Sequence, residues 1–278
     1  MTNSHSIVVG ERTDAADPTA WKTYDEFAAG IDTYRLSSTD LTGRSLSLTF
    51  EGGVSLSLSF IDATTVEWSS DGLLSASGGS RDPYDAVEAR PGVFFVNLPL
   101  ESRAREAITL VWNDASGRAM LAHSVIAPEA VPGTPQVGQT FAAGAIDGVE
   151  VTGAKPGPSR DLIGMRNIYR YSPNHLYEHV YLSSERYDSP RQCVQGEQRG
   201  HGDVDMSTVW KFEHGLYLFC FREFVIPVAS VWLHDLGYEL RTTGVFLGIN
   251  GDGEAQHSRA GGHIYPLGSV TYPDIQPV

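Results

Sequence analysis

The 278-residue sequence is poor in cysteine, in positive charge and in long apolar runs. Its two cysteines, Cys193 and Cys220, can form at most one disulfide, which excludes a disulfide-stabilised scaffold. Cys220 stands in an apolar stretch, which favours a small buried hydrophobic side chain. There are 20 lysines and arginines against 34 acidic residues, so the net charge is −14. Such an acidic chain is poorly suited to nucleic acid or an anionic membrane.

Membrane spans and targeting segments are missing as well. No apolar run reaches the roughly 18 residues that a membrane helix needs, and the N-terminal 20 residues lack the apolar stretch of a signal peptide. We therefore expect a cytoplasmic protein whose partner is a small-molecule ligand or substrate, with no nucleic acid and no membrane as partner; a homodimer is left open. Phosphate-binding loops, dinucleotide fingerprints and the Gly-x-Ser-x-Gly elbow are also missing, so we expect no cofactor.

What the sequence does contain is apolar residues at every second position, the pattern of half-buried β-strands. Leu46, Leu48 and Phe50 share one face of a first strand, and 54–60 repeats the pattern after a glycine turn. A short helical pattern covers 21–30. Further strands are predicted at 65–69, 93–98, 108–113, 118–126, 166–171, 177–183, 207–212, 216–223, 229–235, 241–247 and 262–265.

The two halves of the chain repeat each other. Residues 40–44 (Asp-Leu-Thr-Gly-Arg) open the first half and 161–165 (Asp-Leu-Ile-Gly-Met) the second, and strands follow in similar order. Many short strands with almost no helix indicate an all-β protein of two tandem antiparallel β-barrels. We predict an N-terminal arm (1–20), a structural barrel (21–130), a linker (131–158) and a second barrel (159–278) that holds the ligand. The linker is rich in proline and glycine, and we expect a short strand or two of it to dock on one of the barrels.

The strand 216–223 has an aromatic face that ends in a carboxylate. Tyr217, Phe219, Phe221 and Glu223 alternate along it. Burying a carboxylate among rings raises its pKa by desolvation, so inside a barrel we expect Glu223 to be a general acid near neutral pH. The alternative is a glutamate at the barrel mouth, solvated or paired with an arginine.

Other polar and aromatic side chains share faces of neighbouring strands. Tyr169 and Tyr171 form one pair, and either clamp an oxygenated group of a ligand or fill the core with their hydroxyls at the rim. Tyr177 and His179 form part of a second row, and Arg199 follows in a loop. These side chains suit an aromatic or oxygenated ligand.

Metal-capable residues occur without the spacing of a metal site. His175 and His179 are four apart but lie on a strand-like stretch rather than on a helix. His201, Asp203 and Asp205 alternate between glycines, where a polar loop or strand start is the favoured interpretation over a metal site. We predict no metal.

The C-terminal half resembles the MoaF family. The resemblance rests on 169–179 (Tyr-Arg-Tyr-Ser-Pro-Asn-His-Leu-Tyr-Glu-His), 200–205 (Gly-His-Gly-Asp-Val-Asp) and 215–223 (Gly-Leu-Tyr-Leu-Phe-Cys-Phe-Arg-Glu). The N-terminal half is similar to the divergent partner domain of that family. The family name is a gene-cluster label and implies no activity.

The same half is also similar, more distantly, to phenolic acid decarboxylases, which are lipocalin-like (calycin) barrels without a cofactor. That resemblance implies a site of two tyrosines, an arginine and a glutamate. Tyr169 and Tyr171 match the tyrosines, Glu223 matches the proton-transferring glutamate, and Arg199 is the nearest arginine. Ligand-binding residues are predicted around this catalytic set: Tyr177, His179, His201, Tyr217, Phe219 and Phe221.

The N-terminal half lacks this set. Leu48 and Phe50 stand in place of the two tyrosines, and Leu100 in place of Glu223, with Glu101 one position later and therefore on the opposite face. Three functions remain open: a lyase or isomerase with decarboxylase-like proton chemistry on a small aromatic or conjugated molecule, a non-catalytic small-molecule binding protein, or a barrel cyclase of a biosynthetic pathway.

Overall fold

Almost all of the chain forms antiparallel β-structure. A computed structural model describes residues 23–73, 78–188, 193–195, 202 and 204–277, of which 78, 187, 188 and 193–195 are described by their backbone alone. Helical structure in these ranges is limited to α1 (Tyr24–Ala28) and to two 3-10 turns, Glu51–Gly53 and Glu101–Arg103. None of these helices is long or apolar enough to cross a membrane.

The first sheet has nine strands. They are β1 (Ser45–Phe50), β2 (Val54–Phe60), β3 (Thr65–Asp71), β4 (Gly78–Pro83), β5 (Asp85–Arg90), β6 (Val93–Pro99), β7 (Glu106–Asn113), β8 (Arg118–Ile126) and β9 (Val137–Ile146). Their order is β4-β3-β2-β1-β9-β8-β7-β6-β5, so the curved sheet is open between β4 and β5 among the described pairings. β9 lies within the stretch predicted as a linker and joins β1 to β8.

The second sheet closes on itself. Its strands are β10 (Gly157–Pro158), β11 (Met165–Arg170), β12 (Leu176–Tyr181), β13 (Arg186–Asp188), β14 (Cys193–Gln195), β15 (Val204–Glu213), β16 (Leu216–Arg222), β17 (Val228–Asp235), β18 (Arg241–Ile249) and β19 (Ala255–Ser269). Eight of them form a ring because β15 pairs with both β13 and β16. Eight strands leave an interior that side chains fill or that holds one small ligand.

Each barrel has its own core. The first is filled by apolar residues that alternate with exposed serines, as in β1, where Leu46, Leu48 and Phe50 point inward. The second is filled mainly by aromatic side chains, Tyr169, Phe219 and Trp232 among them. The prediction of two tandem antiparallel barrels in an all-β chain is therefore confirmed.

The barrels pack side by side through their outer faces. Phe95, Val111 and Met120 of the first barrel form one cluster with outward residues of β16 and β17 such as Leu218 and Leu233. Cys220 belongs to this cluster and is fully buried, as the sequence predicts for a small hydrophobic side chain. Because both faces of β16 and β17 are buried, these strands read as continuous apolar runs.

The helix α1 packs on the second barrel, although it precedes the first in sequence. It begins at a capping box, in which Thr23 and Glu26 accept hydrogen bonds from each other's backbone N–H groups. Tyr24 and Ile31 are buried in the core of the second barrel. The chain then reaches the first barrel, where Arg35 pairs with Asp85 at the start of β5.

Candidate functional site

A small cavity lies inside the second barrel, beneath the segment that contains α1. Its volume is about 20 Å³, room for about one water molecule. The wall is formed by Phe27, Ile31, Tyr171, Tyr177, His179, Phe221, Glu223, Trp232 and Phe246. Three of these residues belong to the predicted ligand-binding set, and two to the predicted catalytic set.

Glu223 reaches the cavity from the end of β16. Its backbone N–H donates to the carbonyl of Val228 (3.1 Å), which starts the return strand β17, and the residue is only 8 % exposed. Arg222, one position earlier, points to the other side and bonds Gln139 of the first barrel (3.1 Å) and Thr208 (2.9 Å). The alternation along β16 thus places a carboxyl group, and not a guanidinium, in the cavity wall.

Tyr171 and Trp232 stack in the same wall, with ring centroids 4.9 Å apart. The hydroxyl of Tyr171 and the indole N–H of Trp232 are buried, and neither has a hydrogen-bond partner within the described residues. Burial raises the pKa of Tyr171 well above its usual value, so the phenol stays protonated at neutral pH. The wall therefore offers two neutral donors.

Tyr169 lies deeper in the barrel and does not line the cavity. Its hydroxyl bonds the hydroxyl of Tyr181 (2.5 Å) and accepts from the side-chain amide of Asn167 (3.3 Å). Burial raises its pKa to about 12. The two predicted tyrosines therefore differ: Tyr171 faces the cavity, whereas Tyr169 belongs to a hydrogen-bonded layer behind it.

Two imidazoles flank the ring of Tyr169. The centroid distances are 4.4 Å to His179 and 4.8 Å to His234. Burial lowers the pKa of His179 to about 3, and burial together with the nearby His179 lowers that of His234 well below its usual value. Both rings are neutral at pH 7, and Nδ1 of His234 bonds the hydroxyl of Thr242 (2.8 Å).

The remaining predicted residues of β16 occupy different depths of the barrel. Tyr217 donates its hydroxyl hydrogen to Asp161 (2.9 Å), near the start of the strand and away from the cavity. Phe219 is fully buried against Tyr181 and His234. Phe221, two residues before Glu223, reaches the cavity wall.

Two predicted site residues, Arg199 and His201, lie outside the described residues. Asp205, considered above only as part of a loop or metal pattern, is fully buried on β15. Within the described ranges no group of three or more histidine, cysteine or carboxylate side chains is arranged to hold a metal ion.

Comparison with known proteins shows the family of this chain. A sequence model of the MoaF N-terminal domain matches residues 19–128, and one of the MoaF C-terminal domain matches residues 156–270. Protein MoaF of Klebsiella aerogenes is 35 % identical over 201 residues, which cover 68 % of this chain and 71 % of that protein. The chain belongs to the MoaF family. The cavity lies in the region matched by the C-terminal MoaF model, apart from the two residues contributed by the segment around α1.

In the described part of this MoaF-family chain's first barrel, apolar residues occupy the positions that correspond to the predicted catalytic set. Leu48, Phe50 and Leu100, the counterparts of Tyr169, Tyr171 and Glu223, are all buried in its apolar core. A polar exception is Trp68, whose indole N–H donates to Asp82 (2.7 Å). The difference in interior chemistry between the two barrels follows directly from their sequences.

Several wall residues of the site were not singled out from the sequence. Trp232 of the wall and His234 of the layer behind it alternate along β17 in the same way as the residues of β16, and this periodicity could have identified them. Phe27 and Ile31 carried no signal for this site, because they come from a segment about 140 residues before the barrel that they cover. Only the tertiary structure brings them together with Glu223.

Proposed function

We propose that this protein is a cofactor-independent lyase or isomerase that moves a proton on a small aromatic or conjugated molecule bound in the second barrel. The observation that supports the proposal most is the position of Glu223, a carboxyl group in a cavity wall that otherwise consists of aromatic side chains and Ile31. A carboxyl group in a poorly solvated site suits general acid–base catalysis. Tyr171, protonated and in the same wall, supplies a donor for an oxygenated group.

The arrangement divides the predicted set into roles. Glu223 transfers the proton, Tyr171 binds the substrate, and Tyr169 is a positioning residue, since its ring and hydroxyl act through His179, His234 and Tyr181. A cytoplasmic location belongs to this proposal too.

A cavity of about 20 Å³ is far smaller than the several hundred Å³ of typical ligand sites. Substrate entry therefore requires Phe27 and Ile31 to move.

Replacement of Glu223 by glutamine tests the proton transfer. Glu223→Gln keeps the size of the side chain and removes the acid, and general acid–base catalysis contributes about 10²–10⁴-fold. We expect turnover of hydroxycinnamates and related conjugated compounds to fall by that factor, followed by absorbance and by proton NMR. The matched control is Glu101→Gln. Glu101 follows Leu100, the counterpart of Glu223 in the first barrel, and is exposed to solvent. Equal turnover by wild type and Glu223→Gln rules out the assigned role.

A non-catalytic binding protein is the second candidate. The closed cavity favours this function, because a carrier has to shield its ligand from solvent, whereas an enzyme has to exchange substrate and product quickly. The two functions differ in the fate of the ligand. A compound that co-purifies with the protein and stays unchanged during incubation supports a carrier, and its conversion supports the enzyme. Mass spectrometry of the extracted ligand before and after incubation decides between them.

A further inference from the structure

An open groove of about 770 Å³ lies between the two barrels, and it is far larger than the cavity inside the second barrel. Its wall is formed by the start of β8 in the first barrel, by most of the segment 152–161 that joins the barrels, and by residues 211–214 at the end of β15. Asp161 of this wall bonds Tyr217, which stands at the opposite end of β16 from Glu223. The groove is therefore separate from the cavity, and its volume is in the range of sites that bind whole small molecules.

Basic side chains from both barrels and from the segment between them surround this groove. The chain has a net charge of −14 and contains three lysines, two of which are in this wall. Within the described part of the chain, the acidic residues of the wall are Asp161 and Glu213. The basic residues, apart from His214, are Arg118, Lys155, Arg160 and Lys211. The described wall thus has a charge of +2 on a protein that is acidic as a whole.

The two carboxylates of the wall are already bound by the protein's own donors. Asp161 accepts from Nζ of Lys211 (2.7 Å) and from the hydroxyl of Tyr217 (2.9 Å). Glu213 accepts from two side chains of the first barrel, at 3.2 and 2.9 Å. A carboxylate next to a cation of its own repels an incoming anion less than an isolated one does. The other three cations therefore dominate the groove.

The guanidinium of Arg118 is held in place by neutral groups. Its Nε donates to the carbonyl of Thr152 (3.1 Å) and its Nη2 to that of Gly153 (2.7 Å). These bonds use two of the five N–H donors that a guanidinium carries. Because carbonyl groups do not cancel the charge of Arg118, a ligand anion gains from it without paying for the ordering of the side chain.

Arg160 and Lys155 extend this positive surface. Arg160 donates to the side-chain oxygen of Gln276 (3.2 Å) and to the carbonyl of Pro277, and both oxygens are neutral. Lys155 pairs with Glu51, but the two side chains are 58 % and 55 % exposed. Water and salt screen such an exposed pair, so a ligand of higher charge can replace Glu51.

Phosphate chemistry matches this arrangement. A phosphate monoester carries up to about two negative charges and three acceptor oxygens, which suit guanidinium and ammonium donors on more than one side. Phe212 and Pro158 add an apolar part to the wall, and Phe212 belongs to the apolar cluster between the barrels. A carbon skeleton attached to the phosphate has an apolar surface to pack on.

We propose that the groove between the barrels is a binding site for an organic phosphate. The phosphoryl groups are held by Arg118, Lys155 and Arg160, and the carbon skeleton lies against Pro158 and Phe212. The site does not rest on the proposed function, since no described residue lines both the groove and the cavity. Because the wall comes from both barrels, a bound ligand stabilises the contact between them.

Calorimetry and thermal unfolding with inorganic pyrophosphate test the site, and citrate, an anion with carboxylate groups, is the comparison. Both titrations are made in metal-free buffer at one ionic strength, because salt screens exposed charges. We expect pyrophosphate to bind one site per chain, about tenfold more tightly than citrate, and to raise the unfolding temperature. Absence of pyrophosphate binding, or binding of citrate that is at least as tight, overturns the proposal.

Phenyl phosphate and inorganic phosphate separate the organic part of the ligand from the anion. We expect phenyl phosphate to bind several-fold more tightly than inorganic phosphate, because its ring covers apolar surface of Pro158 and Phe212. Equal affinity of the two compounds shows that the groove takes an adventitious ion only, and it refutes an organic ligand.

Lys155→Gln and Arg160→Gln locate the site. Each variant removes one charge from an exposed residue and is expected to weaken pyrophosphate binding about tenfold, which corresponds to the loss of one hydrogen bond to a charged group. Arg81→Gln is the matched control, because Arg81 forms an exposed pair with Glu67 in the first barrel, outside the groove. Wild-type affinity in both groove variants, or an equal loss in Arg81→Gln, contradicts the assignment.

The unaltered chain gives an independent measurement. An amine-reactive reagent modifies exposed lysines, and we expect pyrophosphate to slow the modification of Lys155 and Lys211 several-fold, as read by mass spectrometry of their peptides. Citrate at the same concentration is expected to protect them less. Equal rates of modification with and without pyrophosphate refute the site, even where a variant folds poorly.

Discussion

At the scale of single residues, the second barrel is unusual in the polar groups that it buries. Tyr169 is packed between His179 and His234, and all three are at most 4 % exposed. Such a layer is stable only while both imidazoles are neutral, since a charged imidazole in that environment is costly. The layer fixes the wall that holds Tyr171 and Glu223, and it makes the second barrel sensitive to acid in a way that the apolar first barrel is not.

The pH dependence of unfolding tests this layer. Burial lowers the pKa of His179 to about 3 from an ordinary value near 6.5, so between these values the unfolded chain binds more protons than the folded one. The sign is therefore that stability is complete above about pH 6.5 and is lost as the pH falls toward 3. Each such histidine contributes a slope of up to about 1.4 kcal/mol per pH unit.

Urea unfolding of wild type and His179→Phe between pH 5 and pH 7 measures that slope. We expect the free energy of unfolding of His179→Phe to fall less steeply with decreasing pH than that of wild type, by roughly the slope that one buried histidine contributes. His214→Gln, a change of an exposed histidine in a loop, serves as the control and is expected to keep the wild-type slope. Parallel curves for wild type and His179→Phe would show that the imidazole of His179 is not held neutral by burial.

At the scale of elements, the segment around α1 completes a barrel to which it is not adjacent in sequence. Tyr24 bonds Ser258 through its hydroxyl (2.9 Å), and Asp25 accepts from the N–H of Gly251 (2.8 Å). Gly248 permits this packing, because a Cβ atom there would lie 2.5 Å from the ring of Tyr24. Phe27 then reaches into the cavity. The segment around α1 is therefore part of the packed wall of the second barrel.

Truncation of Phe27 tests the packing of this segment. Phe27→Ala removes a half-buried ring. Truncation of a fully buried phenylalanine to alanine costs about 3–5 kcal/mol, so we expect a loss of about 1–3 kcal/mol in the free energy of unfolding here. Amide hydrogen exchange within 24–31 should accelerate at the same time. Phe224→Ala, in the exposed loop before β17, is the control and should cost less than about 0.5 kcal/mol. Equal stability of Phe27→Ala and wild type would exclude a packed segment in solution.

At the scale of the whole molecule, the two barrels share a buried interface. The apolar cluster between them is closed at one end by Arg90 of the first barrel, which bonds Asp235 (2.6 and 3.0 Å) and Glu213 (3.2 Å) of the second. Arg90 and Asp235 are 14 % and 3 % exposed, so removal of one partner leaves the other charge buried. Asp235 also accepts from the N–H groups of the turn that follows β17.

Replacement of Arg90 tests this coupling between barrels. Loss of one member of a buried pair costs about 3–5 kcal/mol, and we expect Arg90→Ala to approach that range. Arg81→Ala breaks an exposed pair with Glu67 and should cost less than about 1 kcal/mol. Calorimetry should show one unfolding transition for wild type. Similar losses for the two variants would argue against a structural role of the contact between Arg90 and Asp235.

Side-chain periodicity predicted some strands of this chain better than others. The bounds 54–60 of β2 and 118–126 of β8 were predicted without error, and so was the buried face of β1. β1 and β2 alternate between buried and more exposed positions, which is the pattern that fixes a strand in the sequence. β8 is buried on most of both faces. β4, β5 and β13 were missed because they are short and have few apolar residues. A short strand was expected within the linker, but the bounds of β9 and its ten-residue length were not, because its glycines and alanines show no alternation. Alternation also placed Glu223 and Phe221 on the same face, which the structure confirms.

The sequence by itself determined the fold class, the presence of two barrels, the contrast between their interiors, and the membership of Glu223 in the polar interior of the second. These features depend on side-chain periodicity and on internal repetition, which are local properties of the chain. Only the tertiary structure decided that Tyr171 and not Tyr169 faces the cavity, that Trp232 stands beside it, and that Phe27 fills the space. The reason is physical: depth along a barrel and contacts between distant segments depend on strand register and closure, which no local pattern encodes.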